Sequence, residues 1–178
     1  MVSILSCHSQ YRYSDKKMQK IDACEILKNI DGNLDVIERN ADKIILGNDN
    51  CVLDLLDSLT YKFVNNNEMK YIEALDSICQ VADGYVGEAY WDIGREIFHK
   101  NFKGYFKYLY DHRSKNDCME KRLIDGVSFE IHMAEDRENA KQEIDAFLRN
   151  KIIELKLTES EIEYLKKLQA RFDPGMYD

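Results

Sequence analysis

The stretch Leu123-Ile124-Asp125-Gly126-Val127-Ser128-Phe129-Glu130-Ile131-His132-Met133 decides the fold class. Val127, Phe129, Ile131 and Met133 alternate with polar residues, which is the period of a half-buried strand, and Asp125-Gly126 is a hairpin-turn dipeptide. At helical spacing, Ile124, Val127 and Ile131 instead share one face. The surrounding chain arbitrates. A lone hairpin has no sheet to join and is marginal in water. We therefore expect a helix here, and an all-α chain.

Outward from this stretch the apolar residues recur with a period near 3.6. Ala23, Leu27 and Ile30 run to a break at Asp31-Gly32; Leu34, Ile37, Ala41, Ile44 and Ile45 continue to Gly47. Val52, Leu55, Leu56, Leu59 and Phe63 end at Asn65-Asn66-Asn67, and Tyr71, Leu75, Ile78 and Ala82 at Asp83-Gly84. Val86, Tyr90, Ile93 and Ile97 follow, and Asn101 is placed to cap a helix bearing Phe102, Tyr105, Phe106 and Leu109. Ala140, Ile144, Phe147, Leu148 and Ile152 mark a long helix. Thr158 and Glu161 form a capping-box signature ahead of Leu165, Leu168 and Phe172, and Asp173-Pro174-Gly175 stops that helix. Pro174 is the single proline of 178 residues, and glycine is sparse. Strand-rich chains need more breakers than this. The pattern predicts about seven to nine short helices, packed as antiparallel pairs in a HEAT-like or irregular α–α superhelix. We read residues 1–17 as a flexible N-terminal segment and 18–178 as one helical domain.

The formal net charge is −8, of which residues 1–20 contribute +3 and the remaining 158 carry −11. A field of that sign opposes nucleic acid, whose phosphates need cations. It favours a cationic partner. Five cysteines (Cys7, Cys24, Cys51, Cys79, Cys118) at wide spacing do not read as a disulfide framework, and without a CxxC no zinc site is expected. Cys51 and Cys79 lie on apolar stripes and read as small core residues.

Ile4-Leu5-Ser6-Cys7 resembles the end of a bacterial lipoprotein signal, with Cys7 as the lipid-attachment residue and His8-Ser9-Gln10 opening a polar tether. Only Val2 to Leu5 precede it, against the roughly 7–15 apolar residues an export signal needs. The expectation is a periplasmic or outer-membrane lipoprotein if translation starts further upstream, and a cytoplasmic protein otherwise. Membrane contact would come only through the lipid anchor.

Residues 85–110 hold nine of the aromatics, including the one tryptophan, Trp91. Two adjacent stripes there are apolar, which reads as a central helix wrapped by neighbours; Tyr108 and Tyr110 are expected to stay exposed. The opposite face carries Glu88, Asp92, Glu96 and His99. Glu96-x-x-His99 resembles half of a di-iron site, but no second Glu-x-x-His exists, so the face reads as solvated. Lys100, Lys103 and Lys107 interleave with aromatics, as in single-strand binders, yet three lysines on an acidic chain read as the wet edge of a helix. No GxSxG, HExxH or P-loop pattern occurs.

The candidate binding surface is therefore Glu88, Asp92, Glu96, Tyr108 and Tyr110, with no catalytic residue, metal or cofactor expected. The first functional expectation is a non-enzymatic protein-binding module associated with the envelope. An immunity or inhibitor protein masking a cationic toxin is one alternative. A metal-dependent hydrolase using Glu88, Asp92 and His99 is another.

Leu5-Ser6-Cys7, the segments ICQVADGYVGE (78–88) and FHKNFKGYFKYL (98–109), and the closing FDPGMYD (172–178) together resemble small helical proteins of Bacteroidetes-type bacteria, many of which look like exported lipoproteins. No activity comes with that resemblance, so it transfers no catalytic residue.

Overall fold

The computed structural model describes residues 20–47, 49–113 and 118–178. Cys7 and the 1–17 segment lie outside the described residues. Among those described, nine α-helices follow in order: α1 (Ala23–Leu27), α2 (Ile30–Asn40), α3 (Asp49–Asn66), α4 (Met69–Cys79), α5 (Gly84–Lys100), α6 (Phe102–His112), α7 (Cys118–Met133), α8 (Arg137–Leu155) and α9 (Glu159–Gln169). The strand content is two residues of β1 (Ile21–Asp22) paired parallel with two of β2 (Ile44–Ile45).

The deciding stretch is helical, and burial shows why. A strand would put Val127, Phe129, Ile131 and Met133 on one face. Instead Val127 and Ile131 are buried while Met133 is 65% exposed. α7 and α5 share the most extensive contact in the molecule. Two glycines allow it: a Cβ at Gly126 would lie 2.3 Å from the Trp91 carbonyl oxygen, and one at Gly94 2.8 Å from that of Arg122. Both obstacles are backbone, so only glycine permits this approach. The Asp125-Gly126 pair that suggests a hairpin is thus a helix-crossing device.

The helix starts carry their own signals. The Asn101 side chain accepts from the Gly104 amide at 3.1 Å, and Asp136 from that of Asn139 at 3.0 Å. The Thr158–Glu161 capping box is complete. Two boundaries differ from expectation. Asn29 accepts from the Gly32 amide, so Asp31-Gly32 opens α2 and the break falls at Lys28-Asn29. α2 also stops at Asn40. Ala41–Lys43 form a 3-10 turn, and Ile44 and Ile45 pair with β1 rather than prolonging the helix.

Besides neighbours such as α3 and α4, the main contacts join α1 to α3, α2 to α4 and α5 to α7. Consecutive helices and alternate helices both pack together, as they do where helix pairs stack on one another. One buried cluster runs from Ala23 to Phe172.

Two disulfides overturn the reading of the cysteines. Cys24 of α1 joins Cys51 of α3, with Cα atoms 5.0 Å apart, and Cys79 of α4 joins Cys118 of α7, with Cα atoms 5.9 Å apart. Cys51 and Cys79 are therefore not free core thiols, although Cys79 is buried as expected. Partners 27 and 39 residues apart meet only because the helices that carry them pack.

Candidate partner interface

Both apolar stripes of α5 are covered. Val86, Tyr90, Ile93 and Ile97, together with Gly87, Gly94 and Phe98, are buried. The Tyr90 hydroxyl donates to the Leu75 carbonyl at 2.7 Å, which satisfies it inside the core. Trp91 packs against the rings of Phe129 and Tyr177, with centroids at 5.6 and 5.7 Å, and those two rings also meet each other at 5.4 Å.

The remaining edge of α5 is charged but largely neutralised. Arg95 pairs with Asp92 at 2.7 Å and Lys100 with Glu96 at 2.9 Å. His99 turns to α7, with Nε2 2.9 Å from Glu130. Glu88 is exposed. Among the described residues no group of three or more His, Cys, Asp or Glu side chains is placed to hold a metal ion, so the Glu88, Asp92, His99 set has no supporting constellation. Lys107 pairs with Asp111 at 2.8 Å, which takes up another cation of the lysine series.

The aromatic part of the expected surface needs correction. Tyr108 is buried, only 3% exposed, because α6 turns this residue inward with Tyr105 and Leu109. Tyr110 is half-buried. Its hydroxyl donates to Ser160 Oγ at 2.9 Å, its ring packs on Tyr164, and Arg113 lies over its face. It therefore serves the docking of α9.

The carboxylates left unneutralised gather elsewhere. Residues 21–100 hold 16 acidic and seven basic groups, while residues 101–178 hold 16 and 14, so the first five helices carry nearly all of the negative field. Where α3 runs beside α5, burial, Glu96 and Asp54 together push the Asp57 carboxyl above its ordinary value. Where α2 packs on α4, burial, Glu73 and Asp35 do the same to Glu38. Like charges held this close disfavour ionisation. Among the described residues, Asp54 and Asp57 have no cationic partner.

Asp54, Asp57 and Tyr61 follow at helical spacing along one edge of α3, and Tyr61 is 69% exposed. An acidic strip completed by Glu96 thus runs beside a large uncovered aromatic ring. Sequence reasoning passed over these α3 residues. Their position opposite the Leu55, Leu56, Leu59 stripe marked them as outward-facing, but only the packing of α3 on α5 adds Glu96 to the strip.

No helix among the described residues is long and apolar enough to cross a membrane. No family model matches the chain, and neither curated proteins nor solved structures show a significant match to it.

Proposed function

We propose that the chain is a non-enzymatic, exported helical binding module whose α3/α5 edge receives a cationic protein. The observation that carries the reading is the pair of uncompensated carboxylates Asp54 and Asp57 beside exposed Tyr61, with the Lys100-paired Glu96 next to them. Such a strip raises encounter rates with a positive surface, and a partner's Lys or Arg would relieve the repulsion within it. Tyr61 supplies an aromatic anchor of the kind that concentrates binding energy. An inhibitor that masks a basic toxin is one case of this activity.

The two disulfides support the compartment, since such bonds persist in oxidising surroundings and are rare in the cytosol. They also use four of the five cysteines and leave Cys7 for the lipid attachment that its lipobox-like setting suggests. One diacylated cysteine followed by basic residues would hold the domain at a bilayer.

The test uses the full chain expressed from its native locus. A photo-crosslinker placed at Ser58, on the same edge, should trap a protein of basic isoelectric point. Binding of that protein should weaken steeply with salt, and by about tenfold or more in the Asp54→Lys/Asp57→Lys variant. Binding indifferent to salt and to charge reversal would overturn the interface. Separately, alkylation of the unreduced protein in cells should modify none of Cys24, Cys51, Cys79 and Cys118. Four freely alkylated thiols would overturn export.

A further inference from the structure

We propose that Asp83-Gly84 is a site of spontaneous backbone modification, at which Asp83 isomerises to isoaspartate and alters the entry to α5. This inference concerns the start of that helix and does not depend on the partner interface.

Asp-Gly pairs are prone to this reaction because glycine has no side chain to hinder attack by its amide nitrogen. The chain holds three such pairs, beginning at Asp31, Asp83 and Asp125. The Gly84 nitrogen attacks Asp83 Cγ, a C–N bond forms, and the amide proton leaves with the carboxyl hydroxyl as water. Water then adds to either carbonyl of the resulting succinimide ring. Opening at Cγ restores aspartate. Opening at the main-chain carbonyl leaves the backbone running through Cβ. The composition is unchanged, and the step needs no oxidant or reductant.

The fold leaves this step unhindered at Asp83. Asp83 and Gly84 are both exposed. Asp83 is extended (φ −131°, ψ 174°), and its side chain makes no capping bond. Among the described residues its carboxylate has no ion-pair partner, and the Gly84 amide has no acceptor. Gly84 sits at φ +49°, with open space where a Cβ would be, so the chain can swing here. Turning the Asp83 Cα–C bond breaks the hydrogen bond from the Gly87 amide to the Asp83 carbonyl, at 3.2 Å the outermost of α5.

The other two pairs are held. Asp31 accepts from the Tyr71 hydroxyl at 2.7 Å and from Lys62 at 3.0 Å, and these bonds keep its carboxyl below the usual value. A carboxylate is a poorer target than the protonated acid, which can shed its hydroxyl. The Gly32 amide is also engaged, by Asn29 at 3.2 Å. Burial pushes the Asp125 carboxyl up, toward the reactive form. Geometry outweighs that gain. Gly126 lies inside α7 against the Trp91 carbonyl, so turning the backbone there would break the helix where it meets α5.

Isoaspartate adds a methylene to the main chain just before α5. The Tyr85 hydroxyl donates to the Leu46 carbonyl at 2.5 Å and ties this end of α5 to the segment ahead of α3. That contact is the first the added methylene would displace.

The test ages the oxidised full chain at neutral pH for weeks, digests it, and sequences the Asp-Gly peptides by electron-transfer fragmentation, which tells isoaspartate from aspartate. Isoaspartate should form at position 83 at least about tenfold faster than at 31 or 125, because about 1.4 kcal/mol of barrier, the order of one hydrogen bond, is tenfold in rate. In denaturing urea the three rates should converge. Asp83→Glu keeps the charge but cannot close the succinimide, so it should abolish the signal at that position. Equal rates at the three sites of the folded chain, preference for 31 or 125, or no isoaspartate at 83 would overturn the proposal.

Discussion

Breaking the two disulfides gives the sharpest test of the fold. The bridges close chain segments of 27 and 39 residues that do not overlap. In the chain-entropy model, closing loops of these lengths raises the free energy of the unfolded chain by about 3.6 and about 3.9 kcal/mol. The two effects should add, because each bridge constrains a separate stretch. Their total, about 7.5 kcal/mol, compares with the roughly 5–15 kcal/mol by which whole domains are stable. Losing one bridge should leave a folded but weakened protein, and losing both should bring it to the edge of unfolding. The assay is urea denaturation followed by far-ultraviolet circular dichroism. It compares the oxidised chain, the chain under reductant, Cys24→Ser/Cys51→Ser, and Cys79→Ala/Cys118→Ala; alanine avoids a hydroxyl at the buried Cys79 position. With a urea slope of about 1–3 kcal/mol/M, each double variant should lower the midpoint by roughly 1–4 M. Reductant should lower the midpoint of the oxidised chain further than either variant alone. Changes below about 0.5 kcal/mol in both variants, the size of ordinary surface effects, would refute the pairing.

Gly126→Ala should destabilise by about 1–3 kcal/mol or more, because its Cβ would meet the Trp91 carbonyl at 2.3 Å and α5 and α7 would have to part; thermal melts check this. Leu165→Ala should cost about 2–5 kcal/mol, since this 2% exposed side chain fastens α9 to the body; a loss below about 0.5 kcal/mol would make α9 peripheral. Asp57→Asn should raise the melting temperature at pH 7 and lose that advantage near pH 3. A carboxyl whose folded pKa is raised binds its proton more tightly when folded, so its contribution to stability falls as pH rises from the ordinary value of 3.8 through the raised one, and asparagine removes that loss. An equal gain at both pH values would assign the effect to something other than charge.

Much of the fold was legible because its causes are local. The 3.6-residue stripes named the buried residues Leu55, Leu59, Ile93, Ile97 and Leu168 in advance, since a helix needs no distant partner to set its period. Asn101 and Thr158 announced their helix starts for the same reason. The α2 boundaries were less legible. Ile44 and Ile45 keep helical spacing with Ile37 and Ala41, but their backbone pairs with Ile21 and Asp22, and that competition is decided by where β1 lies. Tyr108 failed as an exposed aromatic because α6 is enclosed more widely than its own stripe implied.

The candidate site was legible only in its charge. The sequence by itself determined an all-helical chain, an acidic balance, and an outward edge on α5, all properties of composition and short-range spacing. Only the tertiary structure decided which cysteines meet, which glycines let α5 and α7 touch, and that Asp54, Asp57 and Tyr61 on α3 run beside Glu96. Each of these is a relation between residues roughly 30 to 40 positions apart. No local pattern encodes such a relation, because the helix faces that bring the residues together are chosen by packing the whole apolar surface into one core.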